Sequence, residues 1–154
     1  MIFPDKLDVL TIHARLIAET AGTQGLRDEA LLESALTAAK NRHHYETADV
    51  VSCAATYAFH LTQTHAFLDG NKRVAAAITE PFLETNGFEL TMANEKIAGL
   101  FLAIASHTLS REQTEQLLRN KDRPRIKAGP HVQRSLVAAK EPAYLGLMNH
   151  PAVN

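Results

Sequence analysis

From His65 to Arg73 the chain reads His-Ala-Phe-Leu-Asp-Gly-Asn-Lys-Arg, gathering a titratable base, a carboxylate, a glycine, an amide and two cations in one short stretch. An ordinary connection between helices needs little beyond a glycine and a polar residue. The chemistry assembled here points to phosphate. A helical run follows, and the first N–H groups of a helix have no internal partners and carry partial positive charge toward an anion. Gly70, lacking a Cβ, lets backbone approach a ligand closely. Lys72 and Arg73 place two full positive charges where cations oppose the helix dipole, an arrangement that a bound anion explains. Asp69 is placed either for an ion pair with them or for Mg²⁺, which takes one or two carboxylates plus substrate phosphates. Asn71 can cap the helix or donate to a phosphate oxygen. A histidine's unperturbed pKa of about 6.5 suits a general base at neutral pH, the role open to His65. Spacing alone leaves the plainer alternative standing, a capped helix start with a solvated face. The segment is not a Walker A loop, because no glycine stands at the required distance upstream and no Ser or Thr follows Lys72. Nor is it a zinc site, since His60 and His65 fall on different faces of a helix.

The elements that must hold this segment read as helices. Asp5 can cap a run whose apolar positions Leu7, Leu10, Ala14, Ile17 and Ala21 recur at three and four, with Gly22 closing it as a left-handed residue. Asp28 caps a second run with Leu31, Leu32, Ala35, Leu36 and Ala39 on one face. Asn41 to Ala48, with His43, His44 and Tyr45, breaks the pattern and predicts an exposed loop or short hairpin flap. From about Asp49 to Thr64 the residues are apolar nearly all round, as in a helix buried within a bundle, and Cys53 there reads as an inert buried thiol. A fourth helix spans about Asn71 to Asn86, closed by Gly87, with Pro81 inside it. A short strand over Phe88 to Thr91, a fifth helix over Asn94 to Leu109 and a sixth capped by Ser110 and Gln113 complete the body. His13 and His107 fall within helices and read as structural. The fold class is all-α, a compact bundle of about six helices.

The chain has 154 residues, 45% hydrophobic and 21% charged, which fits one globular domain and excludes a mostly disordered chain, a collagen or a long coiled coil. No apolar run reaches the roughly 18 residues of a membrane span. No signal-like start is visible, and a single cysteine fits a reducing cytoplasm. Net charge is −1, which argues against a general nucleic-acid or membrane-surface protein. It conceals an asymmetry. Residues 122–154 hold Arg123, Arg125, Lys127, Arg134 and Lys140 against Asp122 and Glu141, a balance of +3 that leaves −4 for the remainder. Four of the six prolines lie there too. The division is a catalytic body over 1–121 and a loosely structured basic tail over 122–154.

The run HAFLDGNKR resembles the signature of the Fic/Doc superfamily, HxFx(D/E)GN(G/K)R, and Lys72 makes it similar to the Doc, or death-on-curing, toxin branch. Gly25-Leu26-Arg27-Asp28-Glu29-Ala30-Leu31-Leu32-Glu33-Ser34-Ala35-Leu36 resembles that family's GLRDEGLLESAL run. The likeness covers about residues 3–121; the tail has no counterpart.

The resemblance implies roles, position by position. His65 is the general base on a protein Ser or Thr hydroxyl, Asp69 holds the metal, Phe67 packs inward, and Gly70, Asn71 and Arg73 form the phosphate cradle. Members with glycine in place of Lys72 usually transfer AMP. Lysine there is associated with an inverted nucleotide and transfer of the γ-phosphate, so Lys72 and Arg73 join His65 as catalytic groups. AMP-transferring relatives also carry another arginine three positions after the first; here that position is Ala76. The implied cofactors are ATP and Mg²⁺, and the implied target is elongation factor Tu. A small antitoxin would inhibit in trans, because the self-inhibitory pattern (S/T)xxxE(G/N) fails at Lys96 in Thr91–Lys96. The tail docking in the antitoxin's groove is a lesser expectation. Transfer of AMP and a non-catalytic binding module are the alternatives.

Overall fold

The computed structural model of the chain describes residues 1–120 and the backbone of 126–128. The described residues form six helices: α1 Lys6–Thr20, α2 Glu29–Glu46, α3 Val50–Gln63, α4 Asn71–Thr85, α5 Asn94–Ala105 and α6 Arg111–Arg119. The expected all-α class stands. Two short strands, β1 Phe88–Leu90 and β2 Ile126–Ala128, pair antiparallel with Phe88 opposite Ala128 and Leu90 opposite Ile126. Apart from β2, the tail expected over 122–154 lies outside the described residues. Among the described residues no helix is long and apolar enough to cross a membrane.

Local chemistry sets most helix starts. The Asp5 carboxylate accepts from the Asp8 N–H and the Asp8 carboxylate from the Asp5 N–H, a reciprocal box. Asp28 accepts from the Leu31 N–H, and Asp49 from the Ser52 N–H. Ser110 and Gln113 repeat the reciprocal box on α6. No side chain caps α4 or α5.

The core gathers on α3. Its residues from Val51 to Ala58 are all buried, and it packs against α2, α4, α5 and α6. Ala54, Ala55 and Ala58 on α3 face a bundle in which α4 contributes buried Ala75, Ala76 and Ala77, so the backbones can approach closely. Tyr57 meets Phe82 edge to face at 5.1 Å, fixing α3 on α4. α4 continues through the buried Pro81. The loop between these two central helices is the segment that carries the chemistry.

Three expectations need correction. Residues 41–46 are the last turns of α2, not a loop or hairpin flap. The cause is tertiary: the Arg42 guanidinium pairs with Glu46 at 3.0 Å and Glu115 at 3.4 Å and donates to the Ser52 carbonyl and the Thr56 hydroxyl, which holds the helix past its apolar stripe. His43 and His44 end up in its last turn, where the helix dipole favours cations. The left-handed residue that closes α1 is Ala21, at φ 53, not Gly22. α5 ends at Ala105 rather than Leu109, because His107 turns left-handed (φ 60) and the Thr108 hydroxyl takes the Ala103 carbonyl. His107 therefore lies in a turn and not within a helix.

Candidate functional site

α3 delivers its C-terminus directly to His65, which is exposed and left-handed at φ 48. The Arg27 Nε donates to the His65 carbonyl at 2.9 Å, while the imidazole makes no hydrogen bond with the described residues. Beyond His65, the segment runs beside the loop between α1 and α2. The N–H groups of Arg27 and Asp28 both donate to the Ala66 carbonyl, at 2.8 and 3.0 Å, and the Leu68 N–H donates to the Gly25 carbonyl at 3.1 Å. Leu26 and Phe67 form an isolated antiparallel bridge. Gly25 is required twice over: its φ is 135, and a Cβ there would lie 2.8 Å from Leu68 Cδ1. The two stretches singled out in the sequence are thus neighbours in space.

Phe67 turns into the core and stacks on the His13 ring, with centroids 3.8 Å apart and planes 12° from parallel. His13 is itself buried, and its Nε2 lies 2.8 Å from the Asp69 carbonyl oxygen. A carbonyl only accepts, so Nε2 carries the proton and donates. Burial holds the His13 pKa below the ordinary histidine value; the bond to Asp69 opposes this and the Arg73 charge adds to it. Asn71 grips the same loop from the other side. Its Oδ1 accepts from the Phe67 N–H and its Nδ2 donates to the Phe67 carbonyl, both at 3.0 Å.

Asp69 and Arg73 form the electrostatic centre. Asp69 Oδ1 accepts from the Gly70 N–H at 2.7 Å and from Arg73 Nη2 at 3.1 Å, and Oδ2 accepts from the Thr23 N–H at 3.1 Å. Partial burial would raise its pKa, but the Thr23 amide, the Arg73 charge and the Gly70 amide outweigh it, so the carboxyl lies below its ordinary value and is ionised at neutral pH. Arg73 is 6% exposed; its Nη1 donates to the Thr20 hydroxyl, and its Nε is buried with no partner. Gly70, at φ 79, opens α4 without a side-chain cap. A Cβ on it would fall 2.7 Å from Ile17 Cδ1 and 3.7 Å from the Arg73 guanidinium. Lys72, half-buried in the first turn of α4, makes no ion pair with the described residues. The buried Arg73 guanidinium therefore lies close to the uncapped start of α4, with Lys72 in the same first turn. A carboxylate offers about four lone-pair positions, and three are engaged here, so Asp69 keeps one for a cation. Mg²⁺ needs no more from protein when phosphates supply further oxygens, and Asp69 fits it on that ground. Among the described residues no three His, Cys, Asp or Glu gather as a cage for a metal held by protein alone.

The structure brings His65, Asp69, Gly70, Asn71, Lys72 and Arg73 onto one loop and helix start. The amide of Asn71 is spent on Phe67 backbone in this arrangement. Cys53 stands apart, and burial pushes its thiol up to about 11. His43 is also elsewhere, its Nδ1 bonded to the Ala48 carbonyl at 2.9 Å and its ring against Phe3. Sequence reasoning passed over His13, Thr20, Gly22, Thr23 and Arg27. Usable signals existed for His13, a histidine placed amid the apolar stripe of α1, and for Arg27, which lies in the family-like run from Gly25 to Leu36. Gly22 read as a helix stop, yet its need is steric: a Cβ there would come 2.5 Å from Asp69 Oδ2. No curated protein matches the chain as a relative. The family model for the Fic/DOC family matches residues 3–83.

Proposed function

The chain belongs to the Fic/DOC family, transferases that act on proteins, and from that premise we propose that it moves the γ-phosphate of ATP onto a Ser or Thr hydroxyl of a protein target, as a toxin of the Doc branch. The observation that carries the reading is the uncapped start of α4 beside the buried, unpartnered Nε of Arg73. Helix-start N–H groups without a side-chain cap attract an anion, and the Arg73 charge beside them adds to that attraction.

In this reading the first amides of α4, Lys72 and Arg73 hold the phosphates, and Asp69 holds Mg²⁺. Mg²⁺ held there would neutralise charge on the phosphate oxygens. His65 accepts the hydroxyl proton on an imidazole nitrogen; the hydroxyl oxygen bonds the γ-phosphorus, the bridging bond to the β-phosphate breaks, and ADP leaves. Little covalent work falls to the protein, and rate comes from placement and charge complementarity. Lys72 supports γ-phosphate rather than AMP transfer, since its side chain adds a point charge and bulk where glycine would leave room. Ala76, buried in α4, supports the same choice by supplying no second arginine. By resemblance the proposed target is elongation factor Tu, the proposed setting is the cytoplasm, and the proposed control is a small antitoxin acting in trans.

ATP labelled separately on the α- and γ-phosphates tests the reading. Incubated with the protein, Mg²⁺ and a cell extract containing elongation factor Tu, γ-label on protein is the expected result. α-Label on protein would replace it with AMP transfer, and no label despite nucleotide binding would reduce the chain to a binding module.

A further inference from the structure

We infer that His13 is a positioning residue for the anion-facing end of α4, setting the plane of the peptide between Asp69 and Gly70; the consequence for nucleotide rests on the function proposed above. His13 touches the loop at two points two residues apart. Its ring lies flat on Phe67, and its Nε2 donates to the Asp69 carbonyl at 2.8 Å. Leu68, between those points, is 55% exposed and tied by its N–H to Gly25 on the opposite side. The loop is therefore clamped inward at Phe67 and Asp69 and outward at Leu68.

The second clamp has a directional effect. The 69–70 peptide is trans, so its carbonyl and its N–H point in opposite directions. Fixing the Asp69 carbonyl on His13 therefore also fixes the direction of the Gly70 N–H. That N–H meets Asp69 Oδ1 at 2.7 Å, and the same oxygen receives Arg73 Nη2. One bond from His13 thus places the carboxylate, the guanidinium that leans on it and the Gly70 amide just before α4. The stack on Phe67 alone would hold the depth of the loop but not the rotation of this peptide. Groups one step removed from a ligand typically change affinity 10- to 100-fold when lost, although they never touch it.

Two variants of the full chain separate the two contacts. His13→Phe keeps a flat ring on Phe67 and removes the donor; His13→Gln keeps a donor and removes the ring. In nucleotide-free protein, amide exchange at Gly70 should quicken about tenfold in His13→Phe, while amides of α3 keep parental rates and His13→Gln stays near the parent. Titrated with Mg²⁺–ADP, His13→Phe should bind about tenfold more weakly and His13→Gln within about threefold of the parent. Gly70 exchange unchanged in His13→Phe, or equal losses in both variants tracking their melting temperatures, would overturn the assignment. Should neither variant fold, ring ¹⁵N shifts of the parent decide: protonated Nε2 is required, and protonated Nδ1 refutes it. A parent that binds no nucleotide would defeat the function proposed above, and the exchange and ring data would still judge His13.

Discussion

Left-handed backbone costs a non-glycine residue about 1–2 kcal/mol, and His65 carries that cost at the junction of α3 and the loop. Such conformations persist only where neighbours over-determine them. Arg27 is that neighbour, with its main chain on Ala66 and its Nε on the His65 carbonyl. Arg27→Ala should lower the rate of the chemical step about tenfold by letting the imidazole wander, with nucleotide affinity unchanged. Arg27→Lys, which still donates, should recover part of it. Single-turnover labelling beside an equilibrium nucleotide titration checks both. Gly22 acts on the other half of the site. A methyl group there would contest the position of Asp69 Oδ2, so Gly22→Ala should weaken the Mg²⁺-dependent part of ATP binding about tenfold and spare binding without Mg²⁺, as read by calorimetry in both conditions. The chemical residues were legible because they stand in one run with a charge pattern that no ordinary turn needs. Their supports were not. His13 and Thr23 reach Asp69 across 56 and 46 residues of chain, and nothing in their local composition marks such a partner.

Helix starts were legible from local chemistry, since Asp5, Asp28, Asp49 and Ser110 satisfy amides within three residues of themselves. Two helix ends were not, those of α2 and α5. α2 runs on because Arg42 finds Glu115, Ser52 and Thr56, all distant in sequence. It stops at Thr47, a β-branched residue held at φ 53. Glycine there would relieve the left-handed cost at the expense of its own unfolded-state freedom and of the Thr47 hydroxyl's bond to the Glu46 carbonyl. Thr47→Gly should still gain about 0.5–1 kcal/mol and raise the melting temperature by about 1–4 °C in a thermal scan. A fall in melting temperature would mean that the hydroxyl bond outweighs the backbone cost.

Across the whole molecule, α6 is fastened to α3 by charge as well as by apolar contact. Arg119 pairs with Asp49 and, at 3.1 Å, with Glu115, and Ser52 donates to Glu115 at 2.7 Å. The Arg119 guanidinium, helped by Ser52 against the opposing effect of burial, holds the Asp49 carboxyl at about 2, against an ordinary value of 3.8. A depressed carboxyl stabilises the fold above its unfolded pKa and loses that contribution as the proton returns. The stability gap between parent and Asp49→Asn should therefore be constant from neutrality down to about pH 5 and close between about pH 4 and 2, in denaturant titrations at each pH. Asp49 is 55% exposed, so water screens the pair and the gap should be about 1 kcal/mol or less. α3, to which α6 is fastened, ends at Gln63, two residues before His65, and four of the other five described helices rest on it. A change of shape in α3 would therefore reach most of the core, whereas a surface laid over His65 would shade the base and leave the scaffold as it is.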